Sequence, residues 1–196
     1  MQLYTYQSQE AYERLMLDGV LRITEENKHL TMACREDWRD MARGAYDYMA
    51  DRMRYLIGPA PAGVVYPVWA WYKWEGRRTP VPEHDAHYKG MRCITFRVDR
   101  RRALLSDFDA FSFYVFNGAC IPETEEESEM AARIAGDPAC GVSGLYDYYR
   151  RATWERIFQI DRARDSYSMT GGKNGSVQAT LWELRREQVI SVRDVS

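Results

Sequence analysis

Tyr66-Pro67-Val68-Trp69-Ala70-Trp71-Tyr72-Lys73-Trp74 holds three of the chain's six tryptophans. Alternation at period two makes it a strand, with Trp69 and Trp71 on one face and Val68, Ala70 and Tyr72 on the other. A flat aromatic surface of that size needs a partner, either the protein core or a bound ring. Working outward, Leu3 to Gln7 alternates as a short strand. Ser8 stands where an N-cap would start a helix over 9–17, and Asp18-Gly19 closes it. A longer helix is expected from Trp38 to Ile57, where Met41, Ala45, Tyr48, Met49, Arg52, Met53 and Leu56 recur at helical spacing before Gly58. Pro59 to Gly63 is an extended loop, because proline excludes a continuing helix.

Met91 to Val98 reads as a buried-type strand ending at Asp99. Leu104 to Asp109 leads into an aromatic run, Phe111 to Phe116, whose periodicity fits helix and strand alike. Thr124 with Glu127 makes a capping box for a short helix to Ile134, which places part of the acidic run 123–129 at a helix N-terminus. Leu145 to Ile160 is a second long helix candidate. Val177 to Leu184 and Val189 to Val192 are β-rich, and Ser168 to Ser176 is a glycine-rich turn. Strands at both ends and in the middle, with helices grouped between them, give an α+β class rather than alternating βαβ units. The expectation is a single domain over 1–196 with a small mixed or antiparallel sheet, whole or split, and a helical and loop insertion around 117–165.

The 196 residues suffice for one proper core. A net charge of −2, a pI near 6.0 and a mean hydropathy of −0.56 exclude a globally basic field that would draw the chain to nucleic acid or anionic lipid. Basic surface must be local, at Arg77-Arg78 or Arg100-Arg101-Arg102. Cys34, Cys93, Cys120 and Cys140 form no CxxC pair, which suits reduced thiols and a cytoplasmic setting. No stretch approaches the roughly 18 apolar residues of a membrane span, and the first residues lack a leader's pattern.

Glu83-His84-Asp85-Ala86-His87 gathers metal-ligand types at unspecific spacing, which a hydrophilic loop explains equally, so no metal is assigned. Ser168-Met169-Thr170-Gly171-Gly172-Lys173 lacks the spacing of a phosphate loop, and Asn174 follows the lysine. Polar pairs at period two occur on two strands, Thr5 with Gln7 and Gln178 with Thr180. Each pair shares a face, and either a solvated face or a lined cleft accounts for it.

The blocks Leu3-Tyr4-Thr5-Tyr6-Gln7, Gly19-Val20-Leu21, Tyr66 to Trp71, Leu104 to Asp109 and Val177-Gln178-Ala179-Thr180-Leu181-Trp182 resemble an uncharacterised bacterial family, a domain of unknown function. More remotely, the order of strand, helix and glycine from Tyr4 to Gly19, the Pro-aromatic strand 67–72 and the late strand Gln178-Ala179-Thr180-Leu181 are similar to ADP-ribosyltransferase-like folds, including toxins that modify DNA bases. The resemblance implies an NAD cleft lined by Thr5, Gln7, Trp69, Trp71, Gln178 and Thr180. It also puts Thr5 where those toxins carry a first-strand His or Arg, and Thr180 where they carry the catalytic Glu. Threonine supplies no carboxylate to steady charge as a glycosidic bond opens. Glu183, reaching back through a bulge, and Asp107, from another loop, are the remaining acid candidates. Two function classes follow: transfer of ADP-ribose from NAD, or a binding module for a nucleotide, a nucleic acid or a protein partner.

Overall fold

A computed structural model describes residues 1–31, 39–80, 86–137, 139, 144–160 and 174–195. Cys34, Cys140, Glu83, His84, Asp85 and the loop 168–173 lie outside these residues.

The first strand and helix form as their residues dictate. β1 (Gln2–Gln7) ends at Ser8, whose hydroxyl accepts from the Ala11 amide at 3.2 Å and starts α1 (Gln9–Asp18). Gly19 stops the helix at φ 76°, a left-handed conformation that glycine adopts without strain. Two short strands follow, β2 (Val20–Leu21) and β3 (Ile23–Thr24). Asn27 then folds the chain back on itself. Its Oδ1 accepts from the Thr24 amide at 2.7 Å and its Nδ2 donates to the Arg22 carbonyl at 2.9 Å. Asn27→Ala removes both bonds from a buried turn, and a loss of about 1–2 kcal/mol is expected as a lower urea midpoint.

α2 (Arg39–Leu56) buries Ala45, Met49 and Met53 along one face, matching the helical spacing in the sequence. The tryptophan stretch is not one strand. β4 (Val64–Tyr66) and β5 (Val68–Lys73) part at Pro67, which has no amide to donate, and they take different neighbours: β4 pairs with β3, β5 with β1. β6 (Arg92–Arg97) and β7 (Leu104–Asp107) follow. Asp107 ends β7 and caps α3 (Phe108–Ala110), accepting from the Ala110 amide at 3.0 Å. The aromatic run 111–116 is therefore helical. Phe111–Val115 closes as a π-turn, in which the Phe116 amide reaches back five residues to the Phe111 carbonyl at 2.9 Å.

α4 (Glu125–Gly136) has its cap on Thr124, whose hydroxyl accepts from the Glu127 amide, while the Glu127 carboxylate accepts from the amide of Glu123 rather than from that of Thr124. α5 (Leu145–Trp154) is shorter than the helical pattern to Ile160; the chain tightens into a 3₁₀ turn at Glu155–Phe158. β8 (Val177–Leu181), β9 (Leu184–Arg185) and β10 (Val189–Asp194) complete the elements. None of the described helices is long and apolar enough to cross a membrane.

The main sheet has six strands in the order β10-β6-β1-β5-β8-β7, every pair antiparallel. One face carries Leu3, Val68, Ala70, Ile94, Phe96, Ala179 and Leu181 into a core shared with Ala11 and Leu15 of α1. The other face packs Leu104 and Trp69 against α2 and the π-turn, around Met49, Met53, Phe111 and Trp154. A separate aromatic cluster on that same face is built on Tyr4 and Trp71.

Candidate functional site

The sheet is nearly divided down its middle. β1 pairs with β6 through six residues and β5 with β8 through five, but β1 and β5 share the single pair Tyr4↔Trp71. Beyond it the Thr5 hydroxyl donates to the Trp69 carbonyl at 2.7 Å, across the line between the two strands. Gln7 Nε2 donates in turn to Thr5 Oγ1 at 2.7 Å. A threonine side chain, backed by a glutamine, thus bridges the two strands beyond their one ladder pair.

A cleft of about 670 Å³ occupies this seam. It takes residues from both sheet faces: Thr5 and Ala70 from one, Tyr6, Trp69, Trp71 and Gln178 from the other. Aromatic rings form its walls. Trp69 lies 5.1 Å from the rings of both Tyr46 and Phe111, and Trp71 lies 4.6 Å from Phe108 and 4.8 Å from Trp74. Phe108 at the start of α3 and Phe111 at the start of the π-turn, three residues apart, join different tryptophans. On the β1 side, Tyr6 packs at 4.1 Å against Tyr88 with the rings tilted by 33°, and the Tyr88 hydroxyl accepts from Trp71 Nε1 at 3.3 Å. Burial, with a hydrogen bond to Cys93, pushes the Tyr6 phenol above its ordinary value.

Polar groups in the cleft are few and specific. Gln178 is 4% exposed, and its Nε2 finds no acceptor among the described residues; Trp69 Nε1 is buried in the same condition. Buried N–H groups left so are costly unless a ligand or water meets them. At the rim His29 Nε2 stands 3.3 Å from Glu10 Oε2, and that hydrogen bond, aided by Arg14, holds the Glu10 carboxyl below its ordinary value.

Of the residues singled out in the sequence, Thr5, Trp69, Trp71 and Gln178 meet in the cleft. Gln7 is held behind Thr5. Thr180 is fully buried opposite Trp69, and its hydroxyl donates to the Leu104 carbonyl at 3.4 Å. Asp107 is the α3 cap, on the opposite face from Gln178. Glu183 is two residues past the end of β8, where alternation no longer governs. It is 6% exposed and receives Arg22 at 2.7 Å, Arg185 at 2.7 Å and Arg102 at 3.1 Å. Burial alone would raise its pKa, but the hydrogen bonds from Arg22 and Arg185 outweigh it and the carboxyl sits below its ordinary value. Neither acid lines the cleft.

Sequence reasoning passed over Tyr46, Phe108 and His29. Tyr46 sits one residue from the buried stripe of α2, so it faces the stripe's edge and reaches Trp69. Asp107 followed by Phe108 and Phe111 is a cap followed by helical spacing, a signal that was legible. His29 is a lone histidine in an irregular stretch and carries none. Among the described residues, no group of three His, Cys, Asp or Glu is placed to hold a metal ion.

Comparison with curated proteins and with solved structures gives no match. The blocks of the first, Pro-aromatic and late strands nevertheless run through one family model, described as Domain of unknown function (DUF3841), which matches residues 2–190, and the chain belongs to that family.

Proposed function

We propose that the seam is a nucleotide site in an ADP-ribosyltransferase-like fold, with NAD as the first ligand to test. The observation that carries this reading is the pair of buried, unpartnered N–H groups on Trp69 and Gln178 inside an aromatic slot. Rings on both sides suit a flat heterocycle, and one bearing a carbonyl or ring-nitrogen acceptor would satisfy the two buried N–H groups once the lining parts to admit it. Further support comes from neighbourhood: β1, β5 and β8, the strands whose sequences carry the resemblance, lie side by side with the seam between the first two.

Transfer of ADP-ribose needs a carboxylate near the nicotinamide ribose. Glu183 is engaged by three arginines, Asp107 by a helix cap, and Thr180 is sealed. Glu10 at the rim is the carboxylate that the cleft itself offers among the described residues. The geometry therefore favours binding over transfer, and we read the cleft as a receptor for NAD or another nucleotide.

Titration of the protein with NAD, adenosine and nicotinamide tests this by tryptophan fluorescence and thermal shift. Quenching is expected, because Trp69 and Trp71 line the cleft. Stabilisation should reach about 2.7 kcal/mol at a hundredfold excess over the dissociation constant. Silence of all three ligands at millimolar concentration overturns the reading and leaves the cleft to a nucleic-acid or protein segment. Release of nicotinamide from NAD on incubation would instead restore the transferase.

A further inference from the structure

Glu183 does more than neutralise one charge. Arg22 from the turn between β2 and β3, Arg102 from the 3₁₀ turn before β7, and Arg185 from β9 converge on its two oxygens. The carboxylate is 4% exposed, while the three arginines are 39%, 55% and 43% exposed. One buried anion thus fixes three half-exposed guanidinium groups close together, with N–H donors left over. Arg100 and Arg101 share the turn of Arg102, and Arg186 follows Arg185. Two further ion-paired carboxylates belong to the region: Glu187 at 3.8 Å from Arg185, and Asp99 at 3.5 Å from Arg101. The region is cationic on a chain whose formal net charge is −2.

Its place in the fold follows from register. Val68 pairs with Leu181 and Leu104 with Thr180, so Glu183 and Arg102 stand beyond the same edge of the sheet. The cleft takes Thr5, Tyr6, Trp69 and Ala70 from that side of the Tyr4↔Trp71 pair and continues past it to Gln178 and Phe108.

We infer that Arg22, Arg102 and Arg185, with Arg100, Arg101 and Arg186 beside them, dock the phosphate backbone of a single-stranded nucleic acid beyond the end of the sheet towards which the cleft extends through Trp69 and Ala70. All six cations are arginines, whose planar forks match phosphate oxygens two at a time. An aromatic slot extending towards the same end suits an unpaired base, since stacking serves single strands. The choice of a single strand rests on the cleft being a base site; the phosphate contacts do not.

The test is fluorescence anisotropy of a labelled oligothymidylate between about 50 and 200 mM salt. Six phosphate contacts, one for each arginine, give a logarithmic salt slope of about −4, a loss of about three-hundredfold over that range. Arg102→Gln leaves Glu183 two partners and should reduce the slope by about 0.7. Arg101→Ala removes a side chain that is 90% exposed and not bonded to Glu183, so it should fold as the parent does and lower the slope similarly. Gln178→Leu should leave the slope unchanged, which separates this surface from the cleft even if NAD does not bind. No binding at the lower salt, or slopes indifferent to both arginine variants, overturns the inference. So does binding to phosphatidylserine vesicles without the oligonucleotide, which points to a lipid surface. Complete competition by millimolar inorganic phosphate also overturns it, reducing the cluster to an isolated phosphate site.

Discussion

Glu183→Ala is expected to destabilise the fold by about 3 kcal/mol, because it removes the one buried carboxylate on which Arg22, Arg102 and Arg185 converge. The three cations would then repel one another, although their partial exposure lets water take up some of the charge and keeps the loss at the low end for a broken buried pair. The cluster also ties the chain between α1 and α2 to the end of the sheet, so its loss should loosen β2 and β9 together. Acid should act in the same direction. The folded carboxyl lies below its ordinary value of 4.5, so its contribution is present above that value and disappears as pH falls through the folded one. Urea midpoints at neutral and acid pH check both points: the parent should lose more on acidification than the variant, which has already lost this group. Equal midpoints for parent and variant at neutral pH would show that the cluster contributes nothing.

Gln178→Leu should separate stability from binding. Its Nε2 is buried without an acceptor, so a leucine of similar size removes an unsatisfied group and should leave the melting temperature unchanged or raise stability by up to about 1 kcal/mol. Ligand affinity should fall by about ten- to a hundredfold, the equivalent of one lost hydrogen bond to a buried acceptor. A variant that melts lower and binds nucleotide as before would mean that the side chain serves packing. The opposed signs make this substitution more informative than a truncation of Trp69 or Trp71, which would cost about 3–5 kcal/mol of packing and blur the two readouts.

Local features of the sequence translate directly into structure. Ser8 and Gly19 bound α1 because capping depends on neighbouring atoms alone, and the alternation of Trp69 and Trp71 against Val68 and Ala70 survives because the pleat has period two. The seam was not legible in this way. Whether β1 and β5 share one residue pair or six depends on partners about 64 positions apart, which no local pattern encodes. Pro67 offered a clue to the division between β4 and β5, but only their separate partners turn a weak point into a boundary. Glu183 misled for a related reason. Face arguments assume a continuing strand, and β8 stops at Leu181. Thr180 keeps its predicted side of the sheet, yet Trp69 stands opposite it and the position is sealed.

The single pair Tyr4↔Trp71 divides the sheet into two three-stranded halves. Along that line the fewest ladder pairs join neighbouring strands, and the two halves are held mainly by the Thr5 hydroxyl bond and by the core that Leu3 and Ile94 share with Val68 and Ala179. A ligand seated between Tyr6 on one half and Gln178 on the other would act as a cross-brace over the line where the ladder is thinnest. Occupancy of the cleft would thereby be coupled to the stiffness of the whole sheet, and slowed amide exchange along β1 and β5 on adding the ligand is the result expected from that coupling.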